Sequence, residues 1–550
     1  VSRSPLFGQV IRALRIARFC NDHRLSAQDG LDRVREAEFR YAASRRTRRE
    51  CLKTLAQTTA AGAAVAALTP AHRLLARTAP QSSLSVGVVG AGLAGLSCIH
   101  ALAKRGINGT LYEATERTGG RCWSLEGLFP GQVAERGGEF IDNLHKTMLG
   151  YANAFGLPVE DVTKEPGEVV YFFDGQHVPE LHVVEEFRDF VAVMRTDLRR
   201  LSHEVTVFSH TDFDESLDHT SLEAYLAGDK GAGLAAGPIA RAAIEAAYIA
   251  EFGLELSEQS CLNFLHFIHA DRRSKFTPFG VFSDERYHIV DGNERIVDGL
   301  TQSLPRPVEH GMRLTAVART SDDAIELTFD TGGGEVSFVH DAVVLAIPFT
   351  VLRTVDLHVN LSLTQAKLDA IENLGYGSNA KMMVGFTSRP WSTQGSSGSS
   401  YSDLINHQTT WETNPVRATP LRAVLTDYSG GTRGASLDLP LLQTEVENFL
   451  TDLDKVFPGA KAAARRDNGD VVAHLEPWPK NPLTLGSYTC YLPGQFTTIA
   501  GLEGLPAGNL FFAGEHANSF YEFQGFMEGA ALSGIDAADA IFRAARKSRP

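Results

Sequence analysis

The residues whose types and spacing most clearly imply chemistry lie between Ser85 and Arg121. An apolar run (Val86, Val88, Val89) leads into Gly90, Gly92 and Gly95 in GxGxxG spacing, then a helical stretch from Leu96 to Arg105. Glycine at the first position permits a tight turn. At the second it lets backbone approach a pyrophosphate, and at the third it lets helix pack on strand. The start of such a helix offers unpaired N–H groups and a partial positive charge to phosphate. A second strand, Gly109 to Tyr112, ends at Glu113, eighteen residues past Gly95. A carboxylate there can accept from a ribose hydroxyl. Strand, helix, strand and acid in this order predict a dinucleotide site without saying which dinucleotide.

The continuation is more specific. Glu113-Ala114-x-x-Arg117-x-Gly119-Gly120-Arg121 resembles the E-A-x-x-R-x-G-G-R signature of the flavin-dependent amine oxidases. The resemblance implies FAD rather than NAD, with the glycine pair close to the pyrophosphate and both arginines near phosphate and flavin. It extends the implied FAD contacts to Ala94, to Gly138, Glu139 and Phe140 in the loop from Val133 to Asp142, and to backbone near Leu314 on the adenine side. Ala513-Gly514-Glu515 and the following Gly525-Phe526-Met527-Glu528-Gly529-Ala530 resemble the family's second flavin motif. Glu515 is then expected at ribityl or phosphate-linked hydroxyls, and the Met527 N–H at the flavin C2 carbonyl. A helix start there stabilises the negative charge of the reduced ring.

Three further places carry the implied reaction. Lys381 lies in an otherwise apolar strand, Ala380 to Phe386, and must find a partner or lose its charge more readily. The family places a lysine at this point, joined through a water to flavin N5, and an aromatic residue after the strand, here Trp391. Trp478 and Gly486-Ser487-Tyr488 resemble the family's W…GSY segment. Ser487 stands where monoamine oxidases have a cysteine bonded to the flavin, so the FAD is expected to be non-covalent. Tyr488 and Phe526 match the two rings that flank the substrate amine. The implied chemistry is hydride transfer from the carbon beside a neutral amine to N5, followed by reduction of O2 to hydrogen peroxide. Aromatic walls contribute by excluding water and orienting the nitrogen. L-Amino-acid oxidases hold the substrate carboxylate with an arginine at the place of Phe140, which favours an amine here. Polyamine oxidases carry a carboxylate at the place of Asp142, so Asp142 is expected to read the substrate. An L-amino-acid oxidase, a dehydrogenase passing electrons to a carrier, and a non-catalytic flavoprotein stay open as alternatives.

The 550 residues are enough for two or three domains. The expected fold is α/β. A discontinuous Rossmann-like FAD domain is read from residues 84–150, 286–350 and 480–545. A mixed α+β substrate domain occupies residues 151–285 and 351–479. Within the latter, residues 144–270 read as mainly helical, and Ser396 to Ser400 as a flexible loop. Residues 1–80 hold 15 basic and 6 acidic side chains, which leaves the remainder at a net charge of −23. So acidic a body argues against a nucleic-acid partner. Thr47-Arg48-Arg49-Glu50-Cys51-Leu52-Lys53 resembles a twin-arginine export motif, and an Ala-rich run from Leu55 to Leu68 follows. Export to the periplasm or beyond is expected, with a cytoplasmic location as the alternative, and this head is set aside from fold reasoning. Val10 to Phe19 within it shows helical spacing. No apolar run is long enough to span a bilayer. The six cysteines show no metal-ligand or disulfide spacing, so no metal is expected. A small-molecule amine or amino acid and O2 are the expected partners, and the sequence leaves a homo-oligomer open.

Overall fold

The computed structural model describes residues 7–36, 84–162, 167–229, 231, 234–270, 285–419 and 422–547. The twin-arginine motif and the Ala-rich run lie outside the described residues.

Four short, fully parallel strands form the nucleotide sheet, in the order Gly109–Tyr112, Val86–Val89, Ala342–Leu345, Leu510–Phe512. Val86–Val89 and Ala342–Leu345 are buried at every position, as strands covered on both faces must be. The sheet therefore draws on three stretches of chain far apart in sequence. Helix Leu93–Lys104 crosses from the first strand to the second, and the long C-terminal helix Met527–Lys547 lies against it. Their contact is close because Gly534 has no side chain. A Cβ there would stand 2.0 Å from the Ala94 carbonyl oxygen.

A seven-stranded sheet faces this layer, in the order Ala473–Pro477, Ala380–Phe386, Ala423–Ser429, His407–Glu412, Ser396–Leu404, Glu168–Phe173, Gln176–Val178. Two expectations are corrected here. The region 144–270 is not only helical, since Glu168–Phe173 and Gln176–Val178 belong to this sheet. The serine run from Ser396 is the first half of a strand, not a flexible loop. Its hydroxyls find partners inside: Ser396 Oγ donates to the Glu168 carbonyl at 2.9 Å, and Ser400 Oγ meets Thr410 Oγ1 at 2.6 Å. Composition alone could not reveal those cross-strand partners.

Helices Glu180–Arg200 and Pro238–Phe252 lie within the region read as mainly helical. The N-terminal helix Phe7–His23 packs on both. Ala13, Leu14, Ile16, Ala17 and Cys20 enter the same apolar core as Val183, Phe187 and Val191, and Arg12 pairs with Glu180. Part of the segment set aside from fold reasoning is thus built into the fold. No described helix is long and apolar enough to cross a membrane. The five described cysteines are buried, and none of them forms a disulfide with another described residue.

Candidate active site

A cavity of about 580 Å³ lies between the two sheets. The residues that follow the four parallel strands, namely Gly90, Glu113, Ala346 and Gly514, all line it. It therefore opens at the carboxyl ends of the strands, where parallel sheets bind their ligands.

The nucleotide wall is mostly backbone. Gly90 turns the chain at φ +98°, and a Cβ on Gly95 would lie 1.9 Å from the Gly90 carbonyl oxygen. Gly95 itself sits behind the wall and allows the helix to approach. The helix start at Gly92 has no side-chain cap, so its N–H groups face the cavity together with Gly92 and Ala94. Glu113 is fixed by the Ala91 N–H (2.8 Å) and by the N–H and hydroxyl of Thr115 (both 3.0 Å). A carboxylate has about four acceptor positions, so it can still receive a ribose hydroxyl. Ala114, Gly120, Arg117 and Leu314 line the same wall. Arg117 donates to the Thr118 carbonyl at 2.7 Å and lies over the Trp123 ring at 4.1 Å.

Arg121 joins the two ends of the chain. Its Nη1 donates to the Ser487 carbonyl at 2.6 Å and to Glu515 Oε1 at 3.0 Å, while Thr489 Oγ1 holds Glu515 Oε2 at 3.0 Å. Met527, on the first turn of its helix, packs so closely on Gly138 that a Cβ there would meet its Cγ at 2.7 Å. These residues fit FAD: a helix start free for phosphate, a fixed acid for ribose, a second fixed acid at Glu515, and another helix start at Met527. Glu113, Glu515 and the two helix starts would hold it.

The opposite wall carries side chains. Lys381 is 5% exposed and its Nζ donates to Glu139 Oε2 (2.7 Å), the Gly137 carbonyl (2.7 Å) and the Glu135 carbonyl (3.2 Å). An ammonium has three protons, so in this geometry all three go to the loop Glu135–Glu139 and none to a water. Trp411 Nε1 donates to the other Glu139 oxygen at 2.9 Å, and its ring stands edge-on to Phe140 at 6.0 Å. Tyr428 lies directly across from Lys381, and its hydroxyl meets that of Tyr488 at 2.6 Å. Tyr488 is held in turn by the Glu251 carbonyl at 2.7 Å. Phe526 lines the cavity with His145 against its ring at 5.4 Å. Burial pushes the His145 imidazole down to about 3, so it packs as a neutral ring. Trp478 closes the floor, its Nε1 donating to the Arg136 carbonyl at 2.8 Å.

Two expected substrate contacts lie elsewhere. Asp142 is 1% exposed and does not line the cavity. Its Oδ1 accepts from the Glu285 N–H at 2.8 Å, and its own N–H donates to His145 Nδ1 at 3.1 Å. Trp391 is fully buried among Phe386 and Phe457 in a separate apolar cluster, with Nε1 donating to Glu412 Oε2 at 3.2 Å. Conversely, Trp411, Tyr428 and Glu285 line the cavity without having been singled out from the sequence. Strand alternation could have placed Trp411 and Tyr428 on one face, but only the register puts Tyr428 opposite Lys381. His266 is buried against Tyr521 and Phe496. No cluster able to hold a metal ion occurs among the described residues.

Comparison with known proteins agrees with this geometry. The family described as flavin containing amine oxidoreductase matches residues 93–542. An L-amino-acid oxidase of Pseudechis australis is 24% identical over 84% of this chain and 87% of its own length. A lysine-specific histone demethylase 1 homolog 2 of Oryza sativa subsp. japonica is 25% identical over 85% of this chain and 58% of its own. Among solved structures, cyclohexylamine oxidase from Brevibacterium oxydans IH-35A superposes with a TM-score of 0.69 at 20% identity, over 84% of this chain and 99% of that one. Putrescine oxidase bound to putrescine gives 0.68 at 17% identity with the same coverage. With a match spanning most of its length and a cavity shaped for FAD, the chain belongs to the flavin-containing amine oxidoreductase family, as an amine oxidase.

Proposed function

We propose that this enzyme carries out oxidative deamination of a primary or secondary amine, polyamines included, that bears no α-carboxylate, using non-covalently held FAD. The observation that carries the reading is the makeup of the wall around Phe140. Phe140, Trp411, Tyr428, Tyr488 and Phe526 are aromatic, and the described arginines of the cavity are Arg117, Arg121 and Arg313. Two of these belong to the nucleotide motif and the third adjoins Leu314, so among the described residues no arginine stands beside the aromatic ones to receive an α-carboxylate. Bound FAD supplies the hydride acceptor and returns the electrons to O2 as hydrogen peroxide. The chain's own residues orient and dry the amine: the aromatic rings exclude water, and the Tyr428–Tyr488–Glu251 bonds fix the Tyr488 ring. The Lys381–Glu139 pair locks the loop that carries Phe140. Ser487 Oγ donates to Asn379 Oδ1 at 2.6 Å and offers no sulfur for a flavin bond.

A peroxide-coupled screen of amines against amino acids, preceded by anaerobic bleaching of the flavin, tests the reading. Peroxide from amines is expected, and faster turnover of L-amino acids than of amines overturns it. The relatives that are L-amino-acid oxidases favour this second outcome as the alternative. Export by the twin-arginine pathway is proposed on Arg48-Arg49 and the Ala-rich run after them. Cell fractionation, with the arginine pair replaced by lysines, tests it.

A further inference from the structure

A second cavity, of about 230 Å³, shares no lining residue with the first. It lies at the far end of the strands that bring Lys381 and Tyr428 to the active site. Ala380–Phe386 and Ala423–Ser429 pair so that Lys381 is opposite Tyr428 at one end, while Gly385 and Phe386 meet Val424 and Ala423 at the other. Gly385 is roughly 13 Å along the strand from Lys381. The Phe129 ring lies against Gly385, where a Cβ would meet it at 3.3 Å. Pro130 and Gly131 then turn the chain, the Gln132 N–H closing the turn on the Phe129 carbonyl at 3.0 Å, and Gln132 returns to the cavity wall. Arg465 is fixed to the same strand, its N–H donating to the Gly385 carbonyl at 2.8 Å.

The polar side chains of this lining are Arg422, Arg465, Gln132 and Thr387, and no Asp or Glu stands among the described residues around it. The chain carries 66 acidic side chains against 52 basic ones, and Arg286, Arg389 and Arg433 each pair with a carboxylate. Arg422 and Arg465 do not, among the described residues. Arg422 gives one N–H to the Pro130 carbonyl at 3.0 Å, and the Arg465 side chain makes no hydrogen bond there. A guanidinium has five N–H groups, so most of theirs remain to be given. Gln132 is 5% exposed, and its amide makes no hydrogen bond among the described residues, with Oε1 sealed from solvent. A buried amide is costly until a partner completes it.

We infer that this cavity binds a small organic oxyanion: Arg422 and Arg465 hold its charged end, Gln132 adds an N–H, and Phe129 and Pro130 receive its apolar part. A planar guanidinium suits the oxygens of a carboxylate and of a phosphate ester alike. The space falls below the roughly 300–1,000 Å³ of sites for drug-sized ligands, so the occupant has a few carbons and is not a nucleotide.

The test titrates the FAD-loaded enzyme by calorimetry with isovalerate, butyl phosphate and the neutral isovaleramide, on wild type, Arg422→Gln and Arg465→Gln. At least one of the two anions is expected to bind wild type with a Kd below about 5 mM, and the amide at least about fivefold more weakly. The tighter of the two anions names the source, a carboxylic acid or a phosphate ester. Each arginine change is expected to raise that Kd about fivefold or more. Flavin content and Tm confirm that the variants are folded. Arg422→Lys and Arg465→Lys serve if a glutamine variant fails to fold, since a lysine keeps the charge and loses the two-pronged grip. The inference is overturned if neither anion binds below about 5 mM, or if the amide binds as well as the anions. A Kd unchanged within about twofold in either folded arginine variant also overturns it, because the anion then sits elsewhere.

Discussion

The two sheets build opposite walls of one cavity by different means. On the parallel side the contacts come from loops just past the strand ends, and backbone shape matters most: Gly90, Gly92, Gly95 and a helix start. On the side of the seven-stranded sheet the contacts come from residues within its antiparallel strands, one place from a strand end, and paired side chains matter most: Lys381 with Glu139, Trp411 with Glu139, Tyr428 with Tyr488. The difference extends to how each side buries a lysine. Lys381 meets a carboxylate at 2.7 Å. Lys367, packed against the nucleotide side, donates to the carbonyls of Leu502 and Glu503 and lies over the ring faces of Phe512 and Phe349, with the Glu503 carboxylate near enough to favour its charge but not bonded to it. Burial pushes the Lys367 ammonium down to about 7. A wall made of backbone should therefore fail by steric overlap, and a wall made of pairs by orphaned charge.

The largest effect is expected from Gly95→Val. Its Cβ would overlap the Gly90 carbonyl oxygen, so the purified variant should retain less than about a tenth of the wild-type flavin by absorbance. Lys381→Met should cost about 3–5 kcal/mol in denaturant unfolding, because it leaves Glu139 buried and unmatched. The double variant Lys381→Met/Glu139→Gln should recover most of that loss, and failure to recover would break the contrast between the walls. Trp391→Phe should cost about 1–3 kcal/mol from lost packing, with KM and flavin absorbance unchanged. A shifted KM would restore its expected place at the substrate. Lys367 supplies a pH test. Its folded value lies below that of the unfolded chain, so unfolding takes up a proton between about pH 7 and 10. Folded stability should rise with pH across that window, and Lys367→Met should remove this part of the slope in Tm measured from pH 7 to 10. The smallest change is expected from Tyr428→Phe, about 0.5–1.5 kcal/mol, because Tyr488 keeps its bond to the Glu251 carbonyl.

The same contrast explains what the sequence could tell. The GxGxxG turn, Glu113, the Arg121 loop and the motifs at Gly514-Glu515 and Gly525-Phe526-Met527 are short-range patterns; Gly90, Gly92, Glu113, Arg121, Glu515 and Met527 line the cavity, with Gly95 packed behind. Lys381 was legible because a charge in an apolar strand needs an explanation. Its three bonds to the Glu135–Glu139 loop were not, since that loop lies some 240 residues away. Trp411 and Tyr428 reach the site through strand register, which no local pattern states. Asp142 and Trp391 show the opposite failure. Each occupies a plausible linear position, yet burial and hydrogen bonding turn the first toward Glu285 and the second into a core. The docked helix Phe7–His23 was hidden by a basic composition that also suits a leader.

The bond from Arg121 to Glu515 spans 394 residues. The first half of the cofactor grip therefore leaves the ribosome long before the second exists. A chain interrupted late in synthesis has its glycine turn and its ribose acid, yet lacks the last parallel strand and the carboxylate that Arg121 clasps. Cofactor retention in this architecture reports that translation has finished, and prematurely released fragments should emerge colourless.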